Sequence, residues 1–532
     1  MVRVLRVAAL VPFASALSST HEAPAKRVAI IGAGAGGAST AYHLAQYAAN
    51  SSIPVNITVF ERASYIGGRT TTVNAWDDAA SPIELGGSIF VEVNRIMVSA
   101  TKAFNLSTAD YDSTAQLELP DLGIWDGQSF VLVTRQEDGW WEKTKLVWRY
   151  GTAPFWTNRL MKAAVGKFLT MYEEPVFPWT SLSDVVEKVG LLGVTGVTGE
   201  QFLEANGVLG RFAREVVQAS TRVNYASNLA HIHGLETMVC MATTGAMSIH
   251  GGNWLIFSHM LSSSPRITTH LNTPVTSLSK QQNGTYHLTT PNTTVPLQYD
   301  AVILASPLQF ANLTLSPPPA HTPDTIPYTA LHTTLFASPH ALNPQAFNLP
   351  STAKVPQIVL TTLPDGEDAR EDPGSPAFYS ISLHDYRLNP RATPPRMEYV
   401  YKIFSGVRVD AGFLSGILGR NVSLPDEAAD EGVAGEVKHD GTTQPKLNPN
   451  AHVSWIHRKL WLSYPREYPR VTFEEVVLDE GLWYTSGIEG FVSTMETSAL
   501  SGMNVARLVR DGWVAGKGGK EEEKEEEGQS EL

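Results

Sequence analysis

The run from Arg27 to Glu61 admits few folds. Val28, Ala29, Ile30 and Ile31 form a short apolar stretch ending at Gly32-Ala33-Gly34-Ala35-Gly36-Gly37, which reads as a buried parallel strand entering a glycine turn. Ala38 to Ala48 carries Ala41, Tyr42, Leu44 and Ala45 without Gly or Pro and reads as a helix, and Ile57-Thr58-Val59-Phe60 is a second apolar strand ending at Glu61. The order is βαβ. Gly32, Gly34 and Gly37 therefore fit G-x-G-x-x-G in its required context. The first permits the turn, the second lets backbone approach a pyrophosphate, and the third lets helix meet strand. Glu61 stands 24 residues after Gly37, where a carboxylate accepts both hydroxyls of an adenosine ribose and disfavours a 2′-phosphate. A dinucleotide-binding unit is expected here.

Two more glycine clusters follow, Gly67-Gly68-Arg69 and Glu84-Leu85-Gly86-Gly87-Ser88. Both let backbone pass close to a ligand, and an Arg beside such a loop can pair with a pyrophosphate. The chain has 532 residues, room for about three domain-sized units. With 43% hydrophobic and 17% charged residues it is globular rather than disordered. Its 40 Lys plus Arg against 53 Asp plus Glu leave a net charge of -13, which argues against nucleic-acid partners. The single cysteine, Cys240, excludes an internal disulfide framework, a CxxC pair and a thiolate zinc site. Within Met238 to Met241 it reads as a small buried hydrophobe.

Residues 1–20 open with Arg3 and Arg6, continue through an apolar stretch from Val7 to Leu17, and offer Ala14 and Ala16 as small residues. They read as a secretory signal. That stretch falls well short of the roughly 20 residues a spanning helix needs, so no transmembrane anchor is expected. Seven Asn-x-Ser/Thr sequons, at Asn50, Asn56, Asn105, Asn283, Asn292, Asn312 and Asn421, support passage through the secretory pathway, ending in a vacuole- or lysosome-like compartment or outside the cell.

Glu61-Arg62 leading to Gly67-Gly68-Arg69 and then Glu84 to Ser88 resembles the FAD-binding pattern of the amine-oxidase and glutathione-reductase-like superfamily. Tyr299 to Pro307 is similar to the strand closing its central FAD segment. Leu482 to Glu489 leading into Met495-Glu496-Thr497-Ser498-Ala499 is similar to its last strand and the helix that points at the flavin. In detail the chain resembles the prenylcysteine oxidase family, through Ile30 to Gly37, Gly86-Gly87-Ser88-Ile89, Arg222-Val223-Asn224-Tyr225, Gly251-Gly252-Asn253 and Gly487-Ile488-Glu489 in that order. It departs at Ala226-Ser227, where the family has Gly-Gln, and at Phe90-Val91-Glu92-Val93, where it has His-Pro. These departures bear on the substrate more than on the cofactor.

The resemblance implies an α/β protein: a discontinuous Rossmann-type FAD-binding domain with an inserted α+β substrate domain. The FAD domain would comprise residues 21–100, 231–310 and 471–516, the substrate domain 101–230 and 311–470, and residues 517–532 a disordered acidic tail. Asn253 to Leu261 reads as a helix and Ile267 to Leu278 as a strand, while 317–327 and 426–450 read as surface loops. FAD contacts are expected from Gly32, Gly34, Gly37, Glu61, Arg62, Gly68, Arg69, Gly86, Gly87, Ser88, Val275, Glu489, Thr494 and Met495, with Val275 meeting the adenine through its backbone. No catalytic side chain is assigned.

The implied activity is oxidation of farnesyl- or geranylgeranyl-cysteine by FAD, with oxygen as acceptor. An amine substrate, or flavin binding without turnover, are the alternatives. Other chemistry finds little support. His231 and His233 lack supporting metal ligands, so no metal is expected. Asp184 and Glu187 read as a solvated helix face, and no Gly-x-Ser-x-Gly elbow occurs.

Overall fold

The computed structural model describes residues 24–110, 117–135, 146–208, 210–292, 295–369, 371–425 and 447–530. The expected signal segment at 1–20 and most of the expected loop at 426–450 lie outside them.

Three distant stretches of chain meet in one six-stranded sheet. Lys26–Ile31 lies at its centre, parallel to Val55–Phe60 on one side and to Ala301–Leu304 on the other. Ile267–His270 extends the first flank, and Leu482–Tyr484 with Val477–Asp479 the second. Val28, Ala29, Ile30, Val302 and Ile303 are fully buried, as central parallel strands covered on both faces require. The helix Ala35–Asn50 covers one face and packs along the long helix Met495–Ser530, where the Ser39 hydroxyl donates to the Ala499 carbonyl at 2.6 Å.

Over the other face lies a four-stranded sheet of Ser277–Lys280, Tyr286–Thr289, Leu297–Tyr299 and Thr314–Ser316. Its Leu278, Tyr286 and Leu288 share a core with Ala29, Phe60 and Val302. The expected single strand from Ile267 to Leu278 is in fact two strands in different sheets. Asn272 sits at φ 52° and Pro274 follows, and a left-handed residue next to one lacking an N–H breaks a ladder. The expected helix starts one residue late, at Trp254, with Asn253 as its N-cap.

The third sheet has seven strands: Trp455–Pro465, Tyr328–Ser338, Arg396–Ser405, Ser380–Asn389, Ile358–Thr361, Leu122–Trp125 and Phe130–Thr134. It draws its strands from both long stretches between the segments of the first sheet. Helices between 153 and 240 complete the molecule around the largest hydrophobic core. The expected disordered tail differs too, because the last helix continues to Ser530. Lys and Glu are good helix formers, so a Lys/Glu run extends a helix already nucleated by packing.

Candidate functional site

Four parallel strands of the first sheet end side by side, and the residue after each, Gly32, Glu61, Ala305 and Thr485, lines one cavity of about 1100 Å³. Ligands of open α/β sheets collect at this carboxyl edge. Single-ligand sites hold about 300–1,000 Å³, so this one has room for a large ligand.

The glycine turn forms one wall. Gly34 is the N-cap of the first helix, and a Cβ added there meets nothing within 4 Å, so the backbone faces open space. Gly37 is absent from the wall. Its Cβ would fall 1.9 Å from the Gly32 carbonyl oxygen, so this glycine keeps helix against turn. Glu61 accepts the Ala33 N–H through Oε2 and the Ala63 N–H through Oε1, both at 2.8 Å. A carboxylate offers about four lone-pair sites, which leaves capacity for a ribose diol.

Arg62, Gly68, Arg69, Gly86, Gly87, Ser88, Glu489, Thr494 and Met495 all line the same cavity. Arg62 is tethered by a bond from Nη1 to the Phe310 carbonyl at 2.7 Å. Arg69 is also bound within the protein. Its guanidinium pairs with Glu489 at 2.6 Å and donates to the Ser463 carbonyl at 2.9 Å, while the Tyr328 hydroxyl donates to Glu489 at 2.8 Å. The first use of Arg69 and Glu489 is thus to tie the glycine loop to the third sheet and to the segment before the last helix. Val275 does not line the cavity; it is buried against Phe60 and Leu278. Thr273, two residues before it, donates an N–H to the Glu61 backbone carbonyl.

The last helix begins on the cavity wall. Thr494 and Thr497 cap each other, each N–H donating to the other's hydroxyl at 3.0 Å. Glu496 turns away and accepts the Ile96 and Met97 N–H groups and the Tyr172 hydroxyl, capping the helix Arg95–Ala103. That fixes the long helix with its positive end toward Gly87 and the cavity.

Several functional residues escaped the sequence reading. Lys402, on the strand Arg396–Ser405, lines the cavity and donates to the Glu84 carbonyl at 2.9 Å and the Ser88 hydroxyl at 2.7 Å. Burial lowers the Lys402 ammonium, and the Glu84 carboxylate partly restores it. Burial likewise raises the Glu84 carboxyl, offset by the Asn253 N–H and then by Lys402. Asn253 also donates through Nδ2 to the Gly87 carbonyl at 2.9 Å, holding both ends of the acid-glycine motif. The signal was present: a lysine interrupts the otherwise apolar Tyr399-Val400-Tyr401-Lys402-Ile403-Phe404. His384 lines the same cavity, and burial followed by Lys402 pushes its pKa down to about 3.

Behind the wall lies a buried acid cluster. Tyr225, on the wall, donates to the Ser493 carbonyl at 3.0 Å and adjoins Glu236. The Glu236 carboxyl adjoins the Tyr225 hydroxyl, and the Glu467 carboxylate stands 3.6 Å from His233 Nε2. Burial, and then the Glu467 charge, push Glu236 up to about 8; burial pushes His233 down to about 4. The carboxyl of Glu236 and the imidazole are both neutral near pH 7. Among the described residues no group of three or more His, Cys, Asp or Glu is placed to hold a metal. Cys240 is buried, and Asp184 and Glu187 lie on an exposed helix face.

The family described as Prenylcysteine lyase matches residues 133–522, and the NAD(P)-binding Rossmann-like domain matches residues 30–99. The chain belongs to the prenylcysteine lyase family. Among relatives, the farnesylcysteine lyase of Arabidopsis thaliana is 27% identical over 500 residues, covering 91% of this chain and 87% of its own. Prenylcysteine oxidase 1 of Bos taurus is 25% identical over 530 residues, covering 93% and 90%. Among solved structures, cyclohexylamine oxidase from Brevibacterium oxydans superposes with a TM-score of 0.55 at 14% identity, covering 92% of this chain and all of that one. At that identity the likeness is one of fold. The glycine turn and Glu61 on the cavity wall fall within the segment matched by the NAD(P)-binding Rossmann-like domain.

Proposed function

We propose that this family member is an FAD-dependent oxidase that cleaves farnesyl- or geranylgeranyl-cysteine to cysteine, a prenyl aldehyde and hydrogen peroxide. One observation carries the reading: the cavity that holds the glycine turn and Glu61 is also walled by Val223, Leu331, Phe404, Trp461 and Tyr464, apolar and aromatic surface suited to a prenyl chain. FAD suits the site because the wall runs from Glu61, through the glycines at 86 and 87, to the start of the last helix.

When bound, FAD would supply two-electron oxidation of the carbon between sulfur and alkene with oxygen as final acceptor, and the glycine turn, Glu61, Gly86, Gly87 and the start of the last helix would hold it. Water adds to that carbon, a proton leaves, and the hemithioacetal collapses to thiol and aldehyde. The chain supplies position and electrostatics. Free N–H groups at the start of the last helix favour negative charge in the ligand they face. Lys402 uses two of its three donors on Glu84 and Ser88, leaving the third for a ligand or for the adding water. Trp461 and Tyr464 give the cavity an aromatic wall that limits water within it.

A vacuole- or lysosome-like or extracellular location is part of the proposal. Its support is that all seven sequon asparagines are solvent-exposed. The deciding experiment mixes purified holoprotein with farnesylcysteine without oxygen and follows the flavin band. Bleaching is expected. A band that amines bleach and farnesylcysteine leaves unchanged would replace the thioether reading with the amine one.

A further inference from the structure

The large exposed aromatic side chains among the described residues lie in one short stretch of chain. Val147 is 62% exposed, Trp148 92%, Phe155 64% and Trp156 44%, and these three aromatics are the large exposed rings among the described residues. Val147 and Trp148 lie in the helical stretch 146–150, and Phe155 and Trp156 in the first turn of the helix Ala153–Leu169 that follows the turn at 151–152. The helix does not need them for its own packing, since Met161, Ala164, Val165 and Phe168 bury its other face in the main core. Phe155 and Trp156 lean on each other at 5.5 Å, edge to face, and the Arg159 guanidinium lies 5.5 Å over the Trp156 ring. Solvent exposure of so much ring surface is unfavourable unless something covers it.

Charge says what covers it. From Leu146 to Tyr172 the chain carries Arg149, Arg159, Lys162 and Lys167 and no acidic residue, in a protein of net charge -13. Arg149 is paired with Glu215, so Arg159, Lys162 and Lys167 carry the charge, and Trp and Phe beside Arg and Lys is the composition that settles into a headgroup layer, rings at the acyl boundary and cations at phosphates. The distant acidic charge does not cancel this, because screening confines such fields to about 8–10 Å. We propose that this patch docks the protein onto an anionic lipid surface.

The patch is wired to the cavity. Arg149, adjacent to Trp148, grips Glu215 at 2.8 and 3.0 Å, and the helical run from Ala213 continues to the cavity wall at Val223, Asn224 and Tyr225. Docking stands on exposure and charge alone. The prenylcysteine reading adds only the reason, because a prenylated substrate partitions into bilayers and is best collected there.

The test is flotation of the purified full-length holoprotein with vesicles of phosphatidylcholine alone or mixed with phosphatidylserine. The protein is expected to float with the mixed vesicles and to be released by added salt. Trp148→Ser with Phe155→Ser and Trp156→Ser should leave it unbound while flavin absorbance and circular dichroism stay unchanged. Arg159→Gln and Lys162→Gln should each weaken binding by about fivefold. A parent protein that stays with the soluble fraction overturns the proposal, as does a triple variant that floats as well as the parent. So does sedimentation as a dimer that the same serine substitutions dissociate, which would give the patch to a second copy. Vesicle binding without flavin bleaching by farnesylcysteine would sink the activity reading and leave the docking intact.

Discussion

At Gly34 a side chain and a ligand compete for the same space. The residue sits at φ -79° and ψ -169°, extended backbone open to any L residue, so Gly34→Val adds no strain to the chain itself. The expected result is a folded, colourless protein: circular dichroism preserved and the flavin band lost on purification. Full flavin content in that variant would remove the glycine turn from the cofactor site. Lys402 poses the opposite case, a polar group whose cofactor-independent cost is already met by Glu84 and Ser88. Lys402→Met keeps the stem and removes the donor. Flavin content should hold while turnover falls by about 10²-fold, the usual share of one positioned proton-handling group. Single-turnover bleaching rates check it. The sequence disclosed Gly34 because backbone chemistry is written in local spacing. It did not disclose Lys402, whose partners lie more than 300 positions away.

Between elements, the decisive contact is that of the first helix with the last. A Cβ on Gly502 would lie 2.3 Å from the Gly36 carbonyl oxygen and 2.9 Å from the Thr40 hydroxyl. The two helices thus touch through backbone, and this approach sets Thr494 and Met495 beside Gly86 and Gly87. Gly502→Val must push the helices apart, at a cost of about 1–3 kcal/mol for overpacking. Thermal unfolding should fall by several degrees, with weaker flavin retention because the helix start retreats from the wall. An unchanged melting temperature would mean the helices slide without loss. Neither glycine stands in a recognisable motif for this role. Helix-to-helix distance depends on a pairing 466 residues apart in the chain, and no periodicity encodes which two helices will pair.

For the molecule as a whole, the buried acids predict a pH dependence. Glu236 faces Tyr225, Cys240, His233 and Glu467, and Arg470 stands near His233 and Glu467. Its folded pKa is raised to about 8 from an ordinary 4.5, so the folded state keeps a proton that the unfolded state releases. The stability it contributes is full below pH 4.5 and is lost as pH rises through 8. His233 works oppositely: lowered to about 4 from 6.5, its contribution is full above 6.5 and is lost as pH falls through 4. Between pH 6.5 and 8 the carboxyl alone of these two changes. The stability of Glu236→Gln relative to the parent should therefore rise across that interval, as parallel thermal melts would measure. A constant difference would place the carboxyl in contact with water. The sequence alone determined the dinucleotide unit, because strand, turn and helix there follow one another within sixty residues and each is set by neighbouring side chains, and it carried the family in short motifs spread from Ile30 to Glu489. The tertiary structure alone decided that Arg69 binds Glu489, that Val275 stays behind the wall, that Lys402 and Tyr225 reach it, and that Trp148, Phe155 and Trp156 are left outside. Those outcomes depend on which distant surfaces share a core. Burial, and every charge it perturbs, belongs to the folded whole.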